Sequence, residues 1–558
     1  MPAAAVILTH TDRGYLGHAA GLGDRLAGQT VLNHTVRKAA SIPDVDVVVL
    51  VHAGGQDPLA RLDRGVTAGK PLITVDGPAG AIDLTDDDTA QWVAARKWSM
   101  TAWRGGLGFS SCLDELLPPV AVLAGLDAAE RDSCYLLRGD WCAFDAALAQ
   151  QQLARHLPSP EALKFVFTQA PPGLAGVAVH REAVEQLVEH RATFGRALGY
   201  QTHKPGLDPI SREANLAIAP EVRDTPRRFI YDTPRSMQLI QRIADRLGDR
   251  FADASALDLA KACRGIEAER PDAAFTDSLP QLATLELTPR RPVAGPITPQ
   301  GHVDFDRSDL DDRLAASVFD QLARTGDTAV MLGGLGDAAL HAGYREIVQA
   351  ARDAGVFGLG LETDLHLDRD EALSLLDLPL DVLSIRLNAD TAATYEKVMG
   401  CDRFGPVGET IMALCQERVR RSERLEHPGP WLAIKLVKTA DTLSDMESFF
   451  ERWLRSGAMS IIEPACSGCG LMPELSPIPM APPKREPCRQ LGKRLSVLSD
   501  GRVAQCDQDW LGRGALGDAT LEPLADIWAK QARLAQDHRN GRFTELTLCG
   551  HCSEWHRP

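Results

Sequence analysis

The chain lacks the features of a membrane-spanning or nucleic-acid-binding protein. Its 558 residues contain no run of eighteen apolar residues, and the first residues, MPAAAVILTHTDRG, lack the charged and apolar regions of a signal peptide. The net charge is −16 and no cluster of Lys and Arg stands out, so the chain would repel a phosphate backbone. We therefore expect a cytoplasmic protein that spans no membrane and binds no nucleic acid.

The chain also lacks a repeat of solenoid period, and its twelve cysteines have no reason to form disulfides in a reducing compartment. These cysteines are then thiols or metal ligands. A chain of 558 residues is long enough to form several domains, and its 44% of hydrophobic residues can fill sizeable cores.

Short β-branched runs alternate with helical patterns in two parts of the chain, which predicts parallel α/β sheets. Residues 1–245 begin with AVILTH, a helix near VLNHTVRKAA and the strand VDVVVLVHA. A polar connector is expected over 246–280, and six further strands with helices predict a partial β/α barrel over 281–472. The Pro-rich stretch LMPELSPIPMAPPKREP leads into a small cysteine-rich module at 473–558.

Four cysteines of this last module have the spacing of a metal site. Cys488 and Cys506 flank a turn at Gly501, and the pair Cys549 and Cys552 follows at long range. Four thiolates that converge on one point can hold an iron–sulfur cluster or a structural zinc ion. Buried thiols without a metal are the third interpretation that the spacing allows.

The module resembles the SPASM domain, and its shortened twitch form, of radical S-adenosylmethionine enzymes. The resemblance includes the stretches VLSDGRVAQCDQDW and LGDATLEPLADIW. It implies that Cys488, Cys506, Cys549 and Cys552 hold one auxiliary 4Fe-4S cluster. Since the chain ends six residues after Cys552, we expect no room for the second cluster of a full SPASM domain.

The first block resembles nucleotidyltransferases of the GT-A type, especially cytidylyltransferases, over GLGDRLAGQTVLNHTVRKAASIPDVDVVVLV. Gly21, Gly23 and Arg25 fit the glycine-rich loop of that family, whose backbone N–H groups approach a nucleotide phosphate. Gln29 is a departure, because the family has a lysine there that neutralises triphosphate charge. A plain strand-to-helix turn explains the glycines equally well.

Two aspartates fit the same resemblance. Asp140 follows a strand, where the family has a metal-binding carboxylate, and Asp232 lies in a D-T-P element that supplies the second. Together they would hold Mg²⁺ against a nucleotide or nucleotide-sugar. Ser236 stands where the family has a further acid. The Gly-rich stretch Trp103 to Gly108 is either part of a ligand pocket or a tight turn.

The middle block resembles the radical S-adenosylmethionine barrel, but its first strand end departs from that family. Arg291, Gly295 and Thr298 stand where three cysteines would bind the radical-generating cluster, and none of them ligates iron as a thiolate does. That cluster is expected to be lost.

Other strand ends of the barrel keep polar or glycine residues. The resemblance implies that Gly333, Gly334 and Asp337 touch S-adenosylmethionine, although a turn that needs glycine explains them too. Further polar residues are expected at the barrel mouth: Glu362, Asp364, Arg386, Asn388 and Lys435. Cys466 and Cys469 are interpreted as ligands of a second site, a redox pair or a pair of reduced thiols.

The whole chain is therefore similar to spiro-SPASM proteins, which join a nucleotidyltransferase-like domain to a radical S-adenosylmethionine/SPASM protein. The resemblance implies an iron–sulfur protein in carbohydrate or related modification, acting on a substrate that the sequence does not identify. The alternatives are a catalytically inactive scaffold and a radical enzyme with unusual cluster ligands. Both catalytic motifs depart from their families, so no catalytic residue is assigned.

Overall fold

The computed structural model describes residues 2–9, 13, 16–52, 57–77, 85, 87–98, 118–197, 213–478 and 481–557. The chain divides into two compact units, Met1–Arg270 and Pro271–Pro558. Both units are mixed α/β structures with parallel sheets, as the sequence predicts. The glycine-rich stretch 103–108 lies outside the described residues.

Unit 1 has the following elements in its described residues. Its strands are β1 (Ala3–Thr9), β2 (Arg25–Leu26), β3 (Gln29–Thr30), β4 (Val45–His52), β5 (Leu72–Asp76), β6 (Ser133–Arg138), β7 (Phe165–Thr168), β8 (Val177–His180) and β9 (Asn215–Leu216). Its helices are α1 (Val31–Ser41), α2 (Asp87–Trp98), α3 (Pro119–Ala129), α4 (Ala146–His156), α5 (Arg181–Glu189), α6 (Phe194–Ala197), α7 (Pro220–Arg223), α8 (Pro234–Leu247) and α9 (Ala256–Glu269).

The main sheet of unit 1 has the order β5-β4-β1-β6-β8-β7-β9 in the described part of the chain. Strand β1 lies between β4 and β6 and runs parallel to both. All seven of its residues are buried, which explains why the strand is a continuous apolar run rather than an alternating one. The carboxyl ends of β1 and β6 therefore lie at the same edge of the sheet, and Asp140 follows β6 there.

The stretch that the sequence predicts as the start of a connector is part of the core of unit 1. Helix α9 begins at the N-cap Ser255, whose hydroxyl accepts a hydrogen bond from the Asp258 backbone N–H. Phe251, Leu259 and Cys263 are fully buried with the rest of that core. Apolar residues in this polar-looking stretch recur at helical spacing, and that periodicity positions them on one buried face.

Unit 2 continues the numbering. Its strands are β10 (Leu282–Leu285), β11 (Ala329–Leu332), β12 (Gly358–Thr363), β13 (Val382–Arg386), β14 (Trp431–Lys438), β15 (Met459–Pro464), β16 (Arg494–Val497), β17 (Arg502–Ala504) and β18 (Gly517–Asp518). Its helices are α10 (Ala273–Thr276), α11 (Asp312–Ala323), α12 (Tyr344–Asp353), α13 (Arg369–Ser374), α14 (Ala392–Met399), α15 (Phe404–Glu423), α16 (Met446–Arg455), α17 (Leu524–Ala529) and α18 (Gln531–Arg539).

The sheet of unit 2 has the order β15-β14-β13-β12-β11-β10-β16-β17-β18 among the described residues. Strands β10 to β15 are the six strands that the sequence predicts, and they are all parallel. Strand β16 of the cysteine module then pairs in parallel with β10, and β17 and β18 follow it antiparallel. The module therefore extends the sheet of the middle block.

A buried ion pair lies beside this junction. Both carboxylate oxygens of Glu286, just after β10, accept hydrogen bonds from Arg307 at 2.6 and 2.7 Å. The two side chains are only 3% and 4% exposed. The backbone N–H of Ser499, just after β16, also donates to Glu286 at 3.2 Å. Glu286 thus connects the first barrel strand with the cysteine module.

Within the described residues, no helix combines the length and the apolar character that crossing a membrane would require.

Candidate functional site

Five thiols of unit 2 lie close together, and we call them the thiol group: Cys469, Cys488, Cys506, Cys549 and Cys552. Cys506 follows the hairpin of β16 and β17, and a 3-10 turn over Cys549–His551 carries the two last cysteines. Cys488 interacts electrostatically with Cys506 and Cys552, and Cys549 interacts with those two and with Cys488. The structure therefore brings together the four cysteines that the sequence selects.

The fifth thiol, Cys469, is hydrogen-bonded to both Cys506 and Cys552. The sequence pairs it with Cys466, but the structure separates the two. Cys466 hydrogen-bonds the Gln508 side chain. Sequence spacing predicts only that Cys469 belongs to a C-x-x-C pair. It does not predict that the loop after β15 contacts the hairpin of the module, because no local pattern specifies that contact.

Two neutral side chains donate hydrogen bonds to the sulfur of Cys549. Gln505 donates through Nε2 at 3.2 Å, and Nε2 of His538 lies 3.3 Å away. Nδ1 of His538 accepts the backbone N–H of Cys488 at 3.1 Å, so the ring proton is on Nε2. Burial and the nearby Arg485 lower the pKa of His538 to about 4. The imidazole is thus a neutral donor to the sulfur, the role of a residue that orients a metal ligand.

Arg485 holds the turn that carries Cys549 and Cys552. Its guanidinium donates to the two backbone carbonyls at 2.8 and 2.9 Å. The same group lies over the rings of Phe543 and Trp555, 5.2 and 5.5 Å from their centres. These contacts fix the turn independently of its thiols.

Burial sets the protonation of the thiol group. It raises the pKa of Cys488 to about 11 and that of Cys549 to about 12. Hydrogen bonding with Cys506 and Cys552 also raises the pKa of Cys469. Hydrogen bonds from Cys469 and from the Glu554 backbone, by contrast, lower the pKa of Cys552 to about 7. Several buried thiolates need positive charge beside them, which iron or zinc supplies.

The donor set of the thiol group fits a thiolate-ligated iron–sulfur cluster. Among the described residues, no group of three or more His, Cys, Asp or Glu is already arranged to hold a single metal ion. A zinc ion needs its four ligands around one centre, whereas each thiolate of a cluster binds a different iron.

The first strand end of the barrel is filled by protein. A Cβ atom on Gly295 would lie 2.2 Å from the carbonyl oxygen of Val398, and the Thr298 hydroxyl donates to the Gly295 carbonyl at 2.8 Å. Arg291 is ion-paired with Asp364, and their side chains are 6% and 0% exposed. The three positions that depart from the radical family thus take part in packing, and no thiolate ligand stands there.

The predicted charged residues of the barrel mouth pair with one another, whereas Asn388 hydrogen-bonds the Met399 sulfur and the Val437 backbone N–H. Lys435 donates to Glu362 and reaches Glu463, both at 2.8 Å. Although burial acts in the opposite direction, Lys435 and Arg386 lower the pKa of Glu362 to about 2. Arg386 also lies 3.2 Å from Asp364. Apart from Glu463, whose side chain is 40% exposed, these charged side chains are at most 16% exposed and neutralise one another.

The glycine motif after β11 is used by the same network. Arg386 donates to the carbonyls of Gly334 and Gly336 at 3.1 and 2.8 Å. Gly333 has a φ of +153°, and a Cβ there would lie 2.7 Å from that of Glu362. Asp337 accepts the Asp364 backbone N–H at 2.8 Å. Burial and Asp364 raise the pKa of Asp337 to about 6. Packing alone accounts for these residues, and S-adenosylmethionine binding by them stays a prediction.

In unit 1, Asp140 and Asp232 lie close together, with arginines against both. Arg138 donates to Asp140 at 2.5 Å and reaches Asp232 at 3.5 Å. Arg228 donates to Asp232 at 2.5 and 3.1 Å. All four side chains are at most 12% exposed. Sequence spacing does not predict these partners, because only the fold brings Arg138, the last residue of β6, to Asp232, 94 residues later in the chain.

These pairings decide how well the aspartates suit Mg²⁺. Burial, with Asp232 adding to it, raises the pKa of Asp140 to about 6. For Asp232, Arg228 and Arg138 outweigh burial and keep the pKa below its usual range. As they stand, the carboxylates do not fit the ion, because two guanidinium groups already neutralise them. Magnesium at this site stays a prediction.

The glycine loop of unit 1 reaches the same place through Tyr231. A Cβ on Gly21 would lie 2.6 Å from the Tyr231 ring, and the Tyr231 hydroxyl donates to Asp24 at 3.2 Å. The backbone N–H of Tyr231 donates to the Asp140 carbonyl at 2.9 Å. A Cβ on Gly23 would lie 3.9 Å from Nε of Arg61, an ordinary contact distance. Arg25 is exposed and donates to the Gly28 carbonyl. The glycine-rich loop and Asp140 therefore both contact Tyr231.

A curated relative matches a part of the chain. An uncharacterized protein of Treponema pallidum (strain Nichols) is 31% identical over 122 residues, which are 22% of this chain. The match spans about a third of that relative, 33% of its length.

Three solved structures resemble parts of the chain at low identity. BtrN in complex with AdoMet and 2-DOIA has a TM-score of 0.35 and 13% identity, over 49% of this chain and 93% of BtrN. A cytidylyltransferase of Leptospira borgpetersenii serovar Hardjo-bovis (strain JB197) has a TM-score of 0.33 and 10% identity. The match covers 49% of this chain and 96% of the cytidylyltransferase. Streptococcus suis SuiB bound to precursor peptide SuiA has a TM-score of 0.37 and 9% identity. The match covers 65% of this chain and 86% of SuiB. What these titles say about ligands belongs to those proteins alone.

The family match falls on the thiol group. Residues 488–553 match the model of the SPASM family, an iron–sulfur cluster-binding domain. The matched segment contains Cys488, Cys506, Cys549 and Cys552, and it leaves Cys469 outside. Four of the five thiols that the fold gathers therefore lie in a segment that resembles an iron–sulfur cluster-binding domain.

Proposed function

We propose that this chain is an iron–sulfur protein that binds one auxiliary 4Fe-4S cluster through Cys488, Cys506, Cys549 and Cys552. One observation carries the proposal: these thiols converge from three separate chain segments, inside a stretch that matches an iron–sulfur cluster-binding domain. The neutral donors to Cys549 support it, since hydrogen bonds to the sulfurs tune such clusters.

The proposal assigns no radical chemistry to the barrel. Arg291, Gly295 and Thr298 are all occupied by packing contacts or by an ion pair, so no residue there replaces a thiolate ligand. A nucleotide or nucleotide-sugar partner for unit 1, and a role in carbohydrate modification, stay predictions. Both predictions need direct measurements of nucleotide binding by unit 1, where Asp140 and Asp232 are paired with arginines.

The metal content of anaerobically purified protein tests the proposal. We expect about four iron and about four acid-labile sulfide per chain, with little zinc. A Cys488→Ala/Cys506→Ala variant should lose both iron and sulfide, because two of its four thiolate ligands are gone. Cys401→Ala is the matched control, since Cys401 is a partly exposed thiol of the barrel, and it should keep the full content.

Two outcomes contradict this assignment. Zinc without sulfide would make the module a structural zinc domain. Iron and sulfide near twice the expected amount would mean a second cluster, and the assignment of a single auxiliary cluster would be wrong.

A further inference from the structure

The loop after β15 carries a fifth thiol to a site that needs four. Cys469 is 6% exposed and is hydrogen-bonded to Cys506 and Cys552. Cys488 interacts with the same two thiols. Cys469 and Cys488 therefore stand beside the same pair of sulfurs, one supplied by the last barrel strand and the other by the cysteine module.

The backbone of this loop is built to hold Cys469 in place. Gly468, Cys469 and Gly470 have φ angles of +57°, +54° and +87°, three consecutive residues in the left-handed region. A Cβ on Gly468 would lie 2.3 Å from the Trp510 ring, so only glycine lets the loop approach the module this closely. The Gly470 backbone N–H donates to the Ser467 hydroxyl at 3.3 Å, which closes the turn.

Cys488 lies on a segment that is held by hydrogen bonds rather than by a helix or strand, among them the bond from the Arg489 backbone N–H to the Trp555 carbonyl at 2.9 Å. Among the described residues between 473 and 493, no helix or strand surrounds it. Its backbone N–H bond to His538 holds the segment. Cys549 and Cys552, by contrast, lie on a turn that Arg485 fixes, and Cys506 follows a strand of the sheet.

We propose that Cys469 is an alternate ligand of the cluster that takes over the iron of Cys488 when Cys488 is absent or released. This inference rests on the proposed function. In the exchange, the bond from iron to the Cys488 sulfur breaks and a bond to the Cys469 sulfur forms. The proton of the Cys469 thiol passes to the departing Cys488 thiolate, so the number of thiolate ligands and the oxidation state stay the same.

Iron and sulfide content of four single and double variants tests the exchange. We compare the wild type with Cys488→Ala, Cys469→Ala and Cys488→Ala/Cys469→Ala, and the control is Cys466→Ala from the same loop. Each single variant should keep most of the cluster. The double variant should lose it several-fold more than either single variant. The electron paramagnetic resonance signal of the reduced Cys488→Ala protein should shift, because one ligand has changed.

A second measurement guards against a variant that fails to fold. In loaded Cys488→Ala protein, Cys469 should be protected from iodoacetamide until a chelator removes the iron, as mass spectrometry of the peptides would show. In the wild type, the extent of Cys469 alkylation should not depend on loading, because Cys488 and not Cys469 holds that iron.

Three results would overturn the inference. The first is a folded Cys488→Ala protein that loses the cluster as completely as the double variant. The second is Cys469 alkylation that is unaffected by loading in that variant. The third is a double variant that retains the cluster. Wild-type protein without sulfide would instead refute the proposed function itself, so the two failures are distinguishable.

Discussion

At the residue scale, the structure shows which charged groups already have partners. Asp140 and Asp232 are paired with Arg138 and Arg228 in unit 1. Asp364 is paired with Arg291 in unit 2. Removing one partner from a buried ion pair leaves an uncompensated charge, which costs far more than the loss of an exposed pair. Each pairing can therefore be tested by a single substitution.

Arg138→Met should destabilise unit 1 and create a cation site. It removes the guanidinium that contacts both aspartates, and we expect a loss of about 3–5 kcal/mol in the free energy of unfolding. Manganese chloride should restore part of this loss in the variant and leave the wild type unchanged, as measured by urea unfolding. Arg227→Met is the control, because its pair with Glu267 is over 40% exposed and contributes about 0–1 kcal/mol. Equal manganese stabilisation of the wild type would contradict the prediction.

Asp337 should make the stability of unit 2 depend on pH. Its folded-state pKa of about 6 lies above the usual 3.8, so the folded chain binds more protons within that window. The contribution of Asp337 to the free energy of unfolding is therefore fully present below about pH 4 and falls by about 3 kcal/mol as the pH rises through 6. Asp337→Asn should lack this loss, and urea unfolding at several pH values measures it. The exposed Asp353→Asn serves as control, and parallel wild-type and Asp337→Asn profiles would refute the assignment.

At the element scale, loops and hairpins decide where the cysteines meet. The loop after β15 uses left-handed residues to reach the module, and the hairpin of β16 and β17 brings Cys506 to the same place. Neither element contains a helix long enough to be recognised by periodicity. Their geometry depends on contacts made by residues far away in the sequence, such as the Trp510 ring against Gly468.

Gly468→Ala should cost more stability than Gly457→Ala. Both glycines have positive φ, so each substitution introduces left-handed strain of about 1–2 kcal/mol. Gly457 has open space around it, whereas a methyl group on Gly468 overlaps the Trp510 ring and adds about 1–3 kcal/mol. Urea unfolding measures the free energy of unfolding of the two variants. Equal losses would contradict the prediction, because they would mean that the loop moves away from the Trp510 ring without an energetic cost.

At the scale of the whole molecule, the sequence predicts the alternation of strands and helices well. All six parallel strands of the middle block lie where the sequence predicts them. The central strands β12 and β13 are buried along their whole length, whereas the edge strand β15 is only partly buried. The pairing of β16 with β10 could not be predicted, since nothing local in LSVL specifies a partner about 210 residues earlier. For the same reason the spacing of the cysteines predicts four thiols of the site and does not identify Cys469 as the fifth.

Glu286→Gln should weaken the attachment of the module to the barrel strands. The substitution leaves Arg307 buried with a neutral partner, and we expect a loss of about 3 kcal/mol. Asp309→Asn is a suitable control, because Arg290, the partner of Asp309, is 57% exposed and the pair should contribute less than about 1 kcal/mol. Hydrogen exchange of the amides in β16 should accelerate in Glu286→Gln alone. Unchanged exchange there would contradict the role assigned to Glu286.

The parallel pairing of β16 with β10 has a consequence for any attempt to divide the chain. A protein truncated before residue 473 would expose the backbone N–H and C=O groups of β10 along a row that β16 normally covers. An uncovered edge of a parallel sheet invites pairing with the same edge of another molecule, so such a fragment should self-associate and precipitate. The cysteine-rich segment therefore covers an edge of the barrel sheet, independently of any ligand that it binds.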